Sequence, residues 1–128
     1  MEECVFCKIC KKEAPAYWIY EDEKVAAFLD IHPQSEGHTL VVPKKHFENI
    51  FDISEDDIMH LYKIVKKLST VIKRALNSSG ISIEQRNGRT AGQVVDHFHT
   101  HIIPTPRKKI FESDEKFKEV AERIKAEI

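Results

Sequence analysis

One long amphipathic segment, with β-type sequence on both sides, constrains the fold of this chain more than any other feature. Ser54 is suited to cap a helix, and the acidic residues 55–57 would lie in its first turn, where the helix dipole favours negative charge. Residues 77–80, Asn-Ser-Ser-Gly, would end the helix. Between these limits apolar side chains recur at helical spacing, at Ile58, Leu61, Tyr62, Val65, Leu68 and Ile72. The pattern predicts a helix with one buried side.

Short apolar or alternating runs, separated by turn-forming residues, predict the strands around this helix. They lie at residues 16–20, 25–29 and 38–43 before it and at residues 81–85 and 94–103 after it. Residues 86–92 read as a loop, and residues 112–128 as a charged C-terminal helix with four buried positions, Phe117, Val120, Ala121 and Ile124. Strands clustered around one central helix predict an α+β domain with a mainly antiparallel sheet.

Composition excludes several classes of protein. The chain has 128 residues, 41% hydrophobic and 32% charged, with four Gly and five Pro, which fits one ordered domain spanning residues 1–128. The net charge of -1, with both signs intermixed, argues against a surface for nucleic acid or acidic membranes. No run approaches the ~18 apolar residues of a membrane span, and residues 1–4 are acidic where a signal peptide would be basic. We therefore expect a cytoplasmic protein.

Three histidines at alternate positions, His97, His99 and His101, are the strongest chemical signal. In a strand they would lie on one side, with neighbouring rings roughly 6.6 Å apart. Imidazole can ligate metal, transfer a proton or attack an electrophile. The spacing alone fits a metal site, solvent-facing histidines without a role, or catalysis at a phosphoryl group. The preceding loop, with its glycines and Gln93, offers donors to an anion and favours the last.

The segment from His97 to Ile103 resembles the histidine triad (HIT) family, in which three histidines alternate with apolar residues and two apolar residues follow. Thr100 is its one departure from that pattern. Residues 91–93, Ala-Gly-Gln, and the upstream segments 28–33, 37–43 and 44–46 also resemble family segments, in the same order. The resemblance covers about residues 4–104 and leaves the C-terminal helix outside it. It implies a HIT-like fold of about five antiparallel strands with helices on one side, and a homodimer.

The resemblance also implies an enzyme, a nucleotide hydrolase or transferase. His99 would attack the α-phosphorus of a purine nucleotide conjugate and form a nucleotidyl-histidine intermediate that water hydrolyses, while His101 would stabilise the phosphate or its leaving group. His38 matches a histidine behind the site, either catalytic or merely satisfied in the core. A nucleoside phosphoramidate that releases AMP is the first choice of substrate. The alternatives are a dinucleoside polyphosphate, a nucleotide-binding adaptor with vestigial catalysis, and hydrolysis by a catalytic zinc held by the triad.

The other substrate contacts that the resemblance implies are Asp30, Ile31, Arg86, Asn87, Gly92, Gln93 and Val94. A carboxylate at position 30 can accept both ribose hydroxyls, and an apolar side chain at position 31 can cover a purine face. Arg86 stands where the family usually has Asn or Gln. Its permanent charge and planar fork would favour a more negatively charged substrate, unless the side chain only faces solvent. His32, where Asn or Ser is frequent in the family, is expected to be a surface residue.

The three cysteines, Cys4, Cys7 and Cys10, lie within seven residues. An odd number so closely spaced suits a disulfide framework poorly and favours metal binding. The resemblance implies a zinc site formed by two of them and two histidines, namely Cys4, Cys7, His46 and His97. Cys7 and Cys10 are a competing pair, and reduced thiols without metal are the remaining alternative. A closed shell of four ligands leaves no place for an activating water, so a zinc ion here is expected to be structural.

Overall fold

The computed structural model describes residues 4–109 and 112–128, so residues 1–3 and 110–111 of the single domain expected over residues 1–128 lie outside the described residues. In the described part, the strands are β1 (Trp18–Glu21), β2 (Val25–Leu29), β3 (Thr39–Pro43), β4 (Gly80–Glu84) and β5 (Thr100–Thr105). The helices are α1 (Val5–Cys10), α2 (Glu55–Ala75) and α3 (Asp114–Lys125), with a 3₁₀ turn at Arg89–Ala91. All strand pairs are antiparallel, in the order β1-β2-β3-β5-β4. This confirms the α+β class and the sheet of five strands.

The two long helices pack on one face of the sheet. Ser54 caps α2 as predicted, its hydroxyl accepting from the amide of Asp57 at 3.1 Å. The buried side of α2 consists of Leu61, Ile64, Val65, Leu68, Val71 and Ile72. Tyr62 was predicted to join that side but is 37% exposed, and its hydroxyl accepts a hydrogen bond from Thr100 at 3.1 Å. The polar end of tyrosine therefore keeps it at the margin of the core.

Helix α1 lies on the other face of the sheet, which corrects the expectation of helices on one side only. Its buried residues, Phe6 and Ile9, pack with residues of β2 and β3 in a second hydrophobic cluster. The cap of α1 is Cys4, whose sulfur accepts from the amide of Cys7 at 3.4 Å. Cysteine is not an ordinary helix-capping residue, so the sequence lacks the usual signal for a helix start.

The prediction of one strand over residues 94–103 was wrong. Strand β5 begins at Thr100, so only His101 of the three histidines lies in regular strand. Upstream, the amide of Phe98 donates to the carbonyl of Phe47 at 2.7 Å instead of joining a neighbouring strand. Phe98 packs in the core beneath α2, whereas the rings of His97 and His99 contact Phe6 of α1. The side chains of His97 and His99 therefore point to the same side of the chain, as the alternation predicted, although neither residue lies in a strand.

Helix α3 closes one end of the larger core. Phe117 stacks on Tyr17 with ring centroids 5.0 Å apart, and the Tyr17 hydroxyl donates to Asp114 at 2.6 Å. None of the helices in the described ranges has the length and hydrophobicity that crossing a membrane requires.

Candidate active site and metal centre

A row of paired residues crosses the sheet on the α1 face and is called here the cross-strand row. Antiparallel pairing aligns Phe28 with Leu40, Leu40 with His101, and His101 with Glu84. Directly paired residues point to the same face, and neighbouring strands lie ~4.8 Å apart. The row therefore runs from an apolar end on β2 and β3, through His101, to a charged end on β4.

A cavity of about 520 Å³ opens over this row, a size that suits a small-molecule ligand. Its apolar walls come from α1 and the neighbouring strands, and include Val5, Phe6, Ile9, Phe28, Leu40 and Val95. Its polar lining includes Asp30, Gln34, Arg86, His99 and His101, with Ile31, Gly92 and Val94 also in the wall. Seven of the predicted contact residues are thus brought together, as is His32, which was expected only at the surface. The walls contributed by α1 were missed in the sequence because α1 itself was missed.

His99 is held in one tautomer by a backbone group. The ring is 8% exposed, and its Nδ1 lies 2.7 Å from the carbonyl oxygen of His97. A carbonyl can only accept, so Nδ1 carries the proton and Nε2 keeps a lone pair. Burial lowers the pKa of His99 below its ordinary value of 6.5, which favours the neutral ring. Nε2 of His99 is therefore the free nucleophilic atom on this side chain.

His101 is held in the opposite tautomer, through His38. The amide of Gln34 donates to Nδ1 of His38 at 3.0 Å, so the proton of His38 sits on Nε2. That nitrogen donates to Nδ1 of His101 at 2.9 Å, which leaves the proton of His101 on its own Nε2. Burial lowers the pKa of His38 to about 3 and that of His101 to about 4, so both rings are neutral at pH 7. His38 therefore lies behind the site and orients His101.

Asp30 lies beside this pair of histidines. One carboxylate oxygen is 3.5 Å from Nε2 of His38, and the other accepts from the amide of His32 at 2.8 Å. Burial, the largest effect, raises the pKa of Asp30. The neighbouring Ile31 lines the cavity with 53% of its surface exposed. A carboxylate next to an apolar side chain at the mouth suits a ribose and its base.

The loop after β4 divides into residues that face the cavity and residues that hold the loop. Gln93 is buried, and its side chain donates to the carbonyls of Glu48 and Val95 at 2.7 and 3.0 Å and accepts from the amide of Gly88 at 2.8 Å. Asn87 accepts from the amide of Ile50 at 2.8 Å. Both side chains bind protein groups in the described structure, and the cavity wall does not include them.

The backbone conformation at position 92 favours glycine. Gly92 has a φ of +96°, and a β-carbon there would lie 2.9 Å from Cδ of Arg86. The loop therefore brings its backbone close to the arginine side chain at the cavity wall.

Four donor atoms from α1, the segment after β3 and the segment before β5 converge beneath this cavity. The Sγ of Cys4 lies 3.3 Å from Nδ1 of His97, the Sγ of Cys7 lies 3.3 Å from Nδ1 of His46, and the two Nδ1 atoms are 3.1 Å apart. Neighbouring ligands of tetrahedral zinc lie about 3.3–3.8 Å apart, given bond lengths of about 2.0–2.3 Å. Nε2 of His97 is 2.8 Å from the Pro43 carbonyl, which places its proton there and frees Nδ1 for a metal. The two sulfur–nitrogen distances fall in the range for tetrahedral zinc and the nitrogen–nitrogen distance of 3.1 Å lies just below it, so the cluster has close to the dimensions of a tetrahedral zinc site.

The cluster also separates the triad histidines. The group of four donors contains Cys4, Cys7, His46 and His97, all within 4.8 Å of one another, and neither Cys10 nor His99 belongs to it. Burial and the neighbouring Cys4 raise the pKa of the Cys7 thiol to about 11. A bound cation would stabilise the thiolate and lower that pKa. A second group, Asp30, His38 and His101, is joined by the hydrogen bond between its two histidines. His97 therefore faces the cysteines while His99 and His101 face the cavity.

Comparison with known proteins agrees with this geometry. A family model for the HIT domain matches residues 11–108. An uncharacterized HIT-like protein of Methanocaldococcus jannaschii is 52% identical over 101 residues, 79% of this chain and 78% of the relative. A relative from Candida albicans, named adenosine 5'-monophosphoramidase, is 43% identical over 105 residues, 79% of this chain and 69% of its own.

Solved structures show the same architecture. A Hit-like protein of Bartonella henselae, described as involved in cell-cycle regulation and crystallised with an unknown ligand, superposes with a TM-score of 0.93 at 37% identity, covering 100% of this chain and 98% of its own. A zinc-bound histidine triad family protein of Mycobacterium smegmatis has a TM-score of 0.87 at 30% identity, covering 98% of this chain and 93% of its own.

Proposed function

The chain belongs to the HIT domain family, and on that premise we propose that it is a nucleotide hydrolase that cleaves purine nucleotide conjugates at the α-phosphate through a covalent intermediate on His99. The observation that carries this proposal is the opposite protonation of two adjacent rings, whose centroids are 5.0 Å apart. His99 offers a lone pair on Nε2, and His101 offers an N–H on Nε2. A nucleophile beside a donor is what phosphoryl transfer needs.

The reaction proceeds in two displacements. Nε2 of His99 attacks the α-phosphorus, and the bond from phosphorus to the leaving group breaks, with its electron pair going to the leaving group. A departing amine takes one proton from solvent. Water then attacks phosphorus, releases the nucleoside monophosphate, restores Nε2 and returns a proton to solvent. In both steps the N–H of His101 donates to the phosphoryl oxygens, and the carbonyl of His97 stabilises the charge that His99 acquires when Nε2 bonds to phosphorus.

The favoured substrate is a purine nucleoside phosphoramidate that yields AMP. The apolar walls of the cavity, including Phe6, Phe28 and Leu40, suit a purine, and Asp30 suits the ribose hydroxyls. The relative named adenosine 5'-monophosphoramidase supports the same choice. A dinucleoside polyphosphate would use the same nucleophile, with a different group beyond the phosphate. A nucleotide-binding adaptor would use the cavity without the nucleophile.

We also propose that Cys4, Cys7, His46 and His97 hold a structural zinc ion. The four donor atoms lie within 4.8 Å of one another and match the ligand types of structural zinc sites. Four protein ligands close the tetrahedron, so zinc would supply rigidity there and no activated water. Bound zinc would fix α1, whose Phe6 ring contacts that of His99 edge-on at 5.3 Å. The zinc-bound relative of Mycobacterium smegmatis supports the assignment.

The working form that we propose is a homodimer. Strand β4 ends the sheet in the described residues, and its open edge could pair with the same edge of a second copy about a two-fold axis. Large apolar side chains nearby are exposed: Ile83 on β4 by 42% and Phe51 by 84%. Phe51 follows Ile50, whose amide binds Asn87 just beyond β4. A second copy would cover this apolar surface.

The test compares His99→Ala with His32→Ala, a histidine that lines the same cavity outside the pair of oriented rings. We expect His99→Ala to lower turnover of an adenosine phosphoramidate by about a thousandfold or more and to retain AMP binding, because only the nucleophile is lost. His32→Ala should keep turnover within about threefold of the wild type. Undiminished turnover by His99→Ala would contradict the proposal. Binding without any turnover by the wild type would favour the adaptor.

A further inference from the structure

The charged end of the cross-strand row carries two arginines on one carboxylate. Glu84, paired with His101 across the strands, accepts from Nη2 of Arg86 at 2.9 Å and from Nη2 of Arg107 at 3.1 Å. Arg107 also donates to the side chain of Gln34, which lines the cavity. Neither arginine donates to His99 or His101 in the described structure, so the roles proposed for the two histidines leave both guanidinium groups unassigned.

The order of the strands indicates what would lie beside them. A nucleotide with its base at Phe28 and Leu40 and its α-phosphate at the histidines spans β2, β3 and β5 in that order. The next strand is β4, ~4.8 Å further on. Whatever is attached beyond the α-phosphate and continues along the row therefore extends toward Glu84 and its arginines. Arg86 lines the cavity itself, so its guanidinium is within reach of that group.

The charge at this end favours an anion. Two guanidinium groups share one carboxylate, which leaves one net positive charge. A guanidinium has five N–H donors, and among the described residues Arg86 uses one of them, toward Glu84. The side chains of Arg86 and Arg107 are 38% and 43% exposed, so a ligand can reach them. Glu84, with 22% exposure, holds both arginines in place.

We propose that Arg86, supported by Glu84 and Arg107, binds a negatively charged group attached directly beyond the α-phosphate, such as a further phosphate. This would let the site accept nucleotide conjugates whose leaving group is anionic as well as the favoured phosphoramidates, and the inference rests on the proposed function. The bond that breaks is the one from the α-phosphorus to the bridging oxygen. Its electron pair leaves with the departing phosphate, which Arg86 stabilises as charge accumulates.

The first test measures affinity for AMP and for ADP, whose β-phosphate occupies the position in question. We expect the wild type to bind ADP about tenfold more tightly than AMP, since charge-assisted hydrogen bonds to phosphate are strong. Arg86→Gln should abolish that preference and change AMP affinity by less than about threefold. Arg86→Lys should keep part of the preference for ADP, because lysine retains the positive charge but lacks the planar guanidinium group. Lys63→Gln removes an exposed charge from α2, on the other face, and should keep the full preference.

Two results would overturn the inference. One is equal affinity of the wild type for AMP and ADP. The other is a loss of AMP and ADP binding by the same factor in Arg86→Gln, which would place the arginine at the α-phosphate or the ribose.

Kinetics separates this inference from the proposed function. Arg86→Gln should lower kcat/KM for a diadenosine polyphosphate about tenfold more than it lowers kcat/KM for an adenosine phosphoramidate. If His99→Ala is inactive but Arg86→Gln keeps the wild-type ratio of the two substrates, only the role of Arg86 is wrong. If His99→Ala stays active, the proposed function fails, and the ratio of ADP to AMP affinity still decides the role of Arg86.

Discussion

At the scale of single residues, backbone groups decide which nitrogen of each active-site histidine carries the proton. The carbonyl of His97 fixes His99 with its lone pair on Nε2, and the amide of Gln34, acting through His38, fixes His101 with its proton on Nε2. Neither the carbonyl nor the amide titrates, so each assignment holds wherever the histidine ring itself is neutral. The folded backbone thus fixes the opposite protonation of the two rings, on which the proposed division into nucleophile and donor depends.

The sequence identified most residues of the candidate site but not the environment of each. His99 and His101 stand out by their spacing, and Asp30, Arg86 and Gly92 all reach the cavity. Gln93 and Asn87 were expected to contact substrate. A glutamine in a glycine-rich loop looks the same in sequence whether it faces a ligand or the loop, and only folding brings Glu48 and Val95 to its side chain. Gln34 orients His38 through its backbone amide. Every residue except proline has such an amide, so the residue type at this position could not have predicted the contact.

Asp22 provides a pH-dependent contact between the β1–β2 turn and α2. Its carboxylate accepts from His60, Tyr20 and the amides of Lys24 and Val25, each at 2.8 Å. Burial raises the pKa of Asp22, but these hydrogen bonds outweigh it and lower the pKa from 3.8 to about 2. Because the folded state binds this proton less tightly, the contribution to stability is complete above the unfolded pKa and is lost as pH falls toward about 2.

We expect Asp22→Asn to lower the free energy of unfolding by about 2 kcal/mol near pH 7, and the difference from wild type to narrow between about pH 4 and about pH 2. Urea unfolding, followed by circular dichroism at several pH values, measures the difference in free energy of unfolding and its pH dependence. Glu23→Gln, at an exposed position of the same turn, should have little effect. A difference between Asp22→Asn and wild type that stays constant down to about pH 2 would show that the carboxylate charge contributes nothing.

At the scale of elements, α1 and the segment before β5 both depart from what local sequence rules predict. Both carry ligands of the candidate zinc site, and the four donors come together only when α1 is capped by Cys4 and His97 leaves the sheet. Local sequence rules predict helices from ordinary caps and strands from alternation, and the proposed zinc site would account for both departures. The regular elements, α2 and β2, followed their patterns, and β2 kept its predicted limits.

The proposed zinc site predicts which cysteine can be replaced without loss of the metal ion. We expect about one zinc ion per chain in the purified wild type and in Cys10→Ser, because Cys10 lies outside the cluster. Cys4→Ser should lose the ion and unfold at a lower temperature, since metal binding stabilises the folded state. Elemental analysis and thermal unfolding measure the two effects. Loss of zinc in Cys10→Ser, with retention in Cys4→Ser, would assign the site to Cys7 and Cys10 instead.

At the scale of the whole molecule, the order of the strands places the residues of the cross-strand row along one line. The cross-strand row leads from Phe28 through Leu40 and His101 to Glu84, although these residues are far apart in the chain. The sequence predicted the number of strands and their antiparallel arrangement. It did not predict that β5 inserts between β3 and β4, because register between distant strands depends on tertiary packing.

The proposed homodimer leads to a prediction at this same scale. Sedimentation equilibrium should give twice the chain mass of 14.9 kDa for the wild type. Phe51→Glu should shift the equilibrium toward monomer, because a carboxylate would be buried at the interface. Met59→Glu changes another exposed residue, on α2, and comparison of the two variants delimits the surface. A wild type that sediments as a monomer at every concentration would exclude the proposed assembly.

The nucleotidyl-histidine intermediate is the central claim, and intact-protein mass spectrometry tests it most directly. Wild-type protein is quenched at alkaline pH during turnover of an adenosine phosphoramidate, and the adduct is mapped by peptide fragmentation. We predict a transient increase in mass equal to one adenylyl group, located on His99 and missing from His99→Ala. Turnover at the wild-type rate with no adduct at any time, or an adduct on another residue, would contradict covalent catalysis at His99.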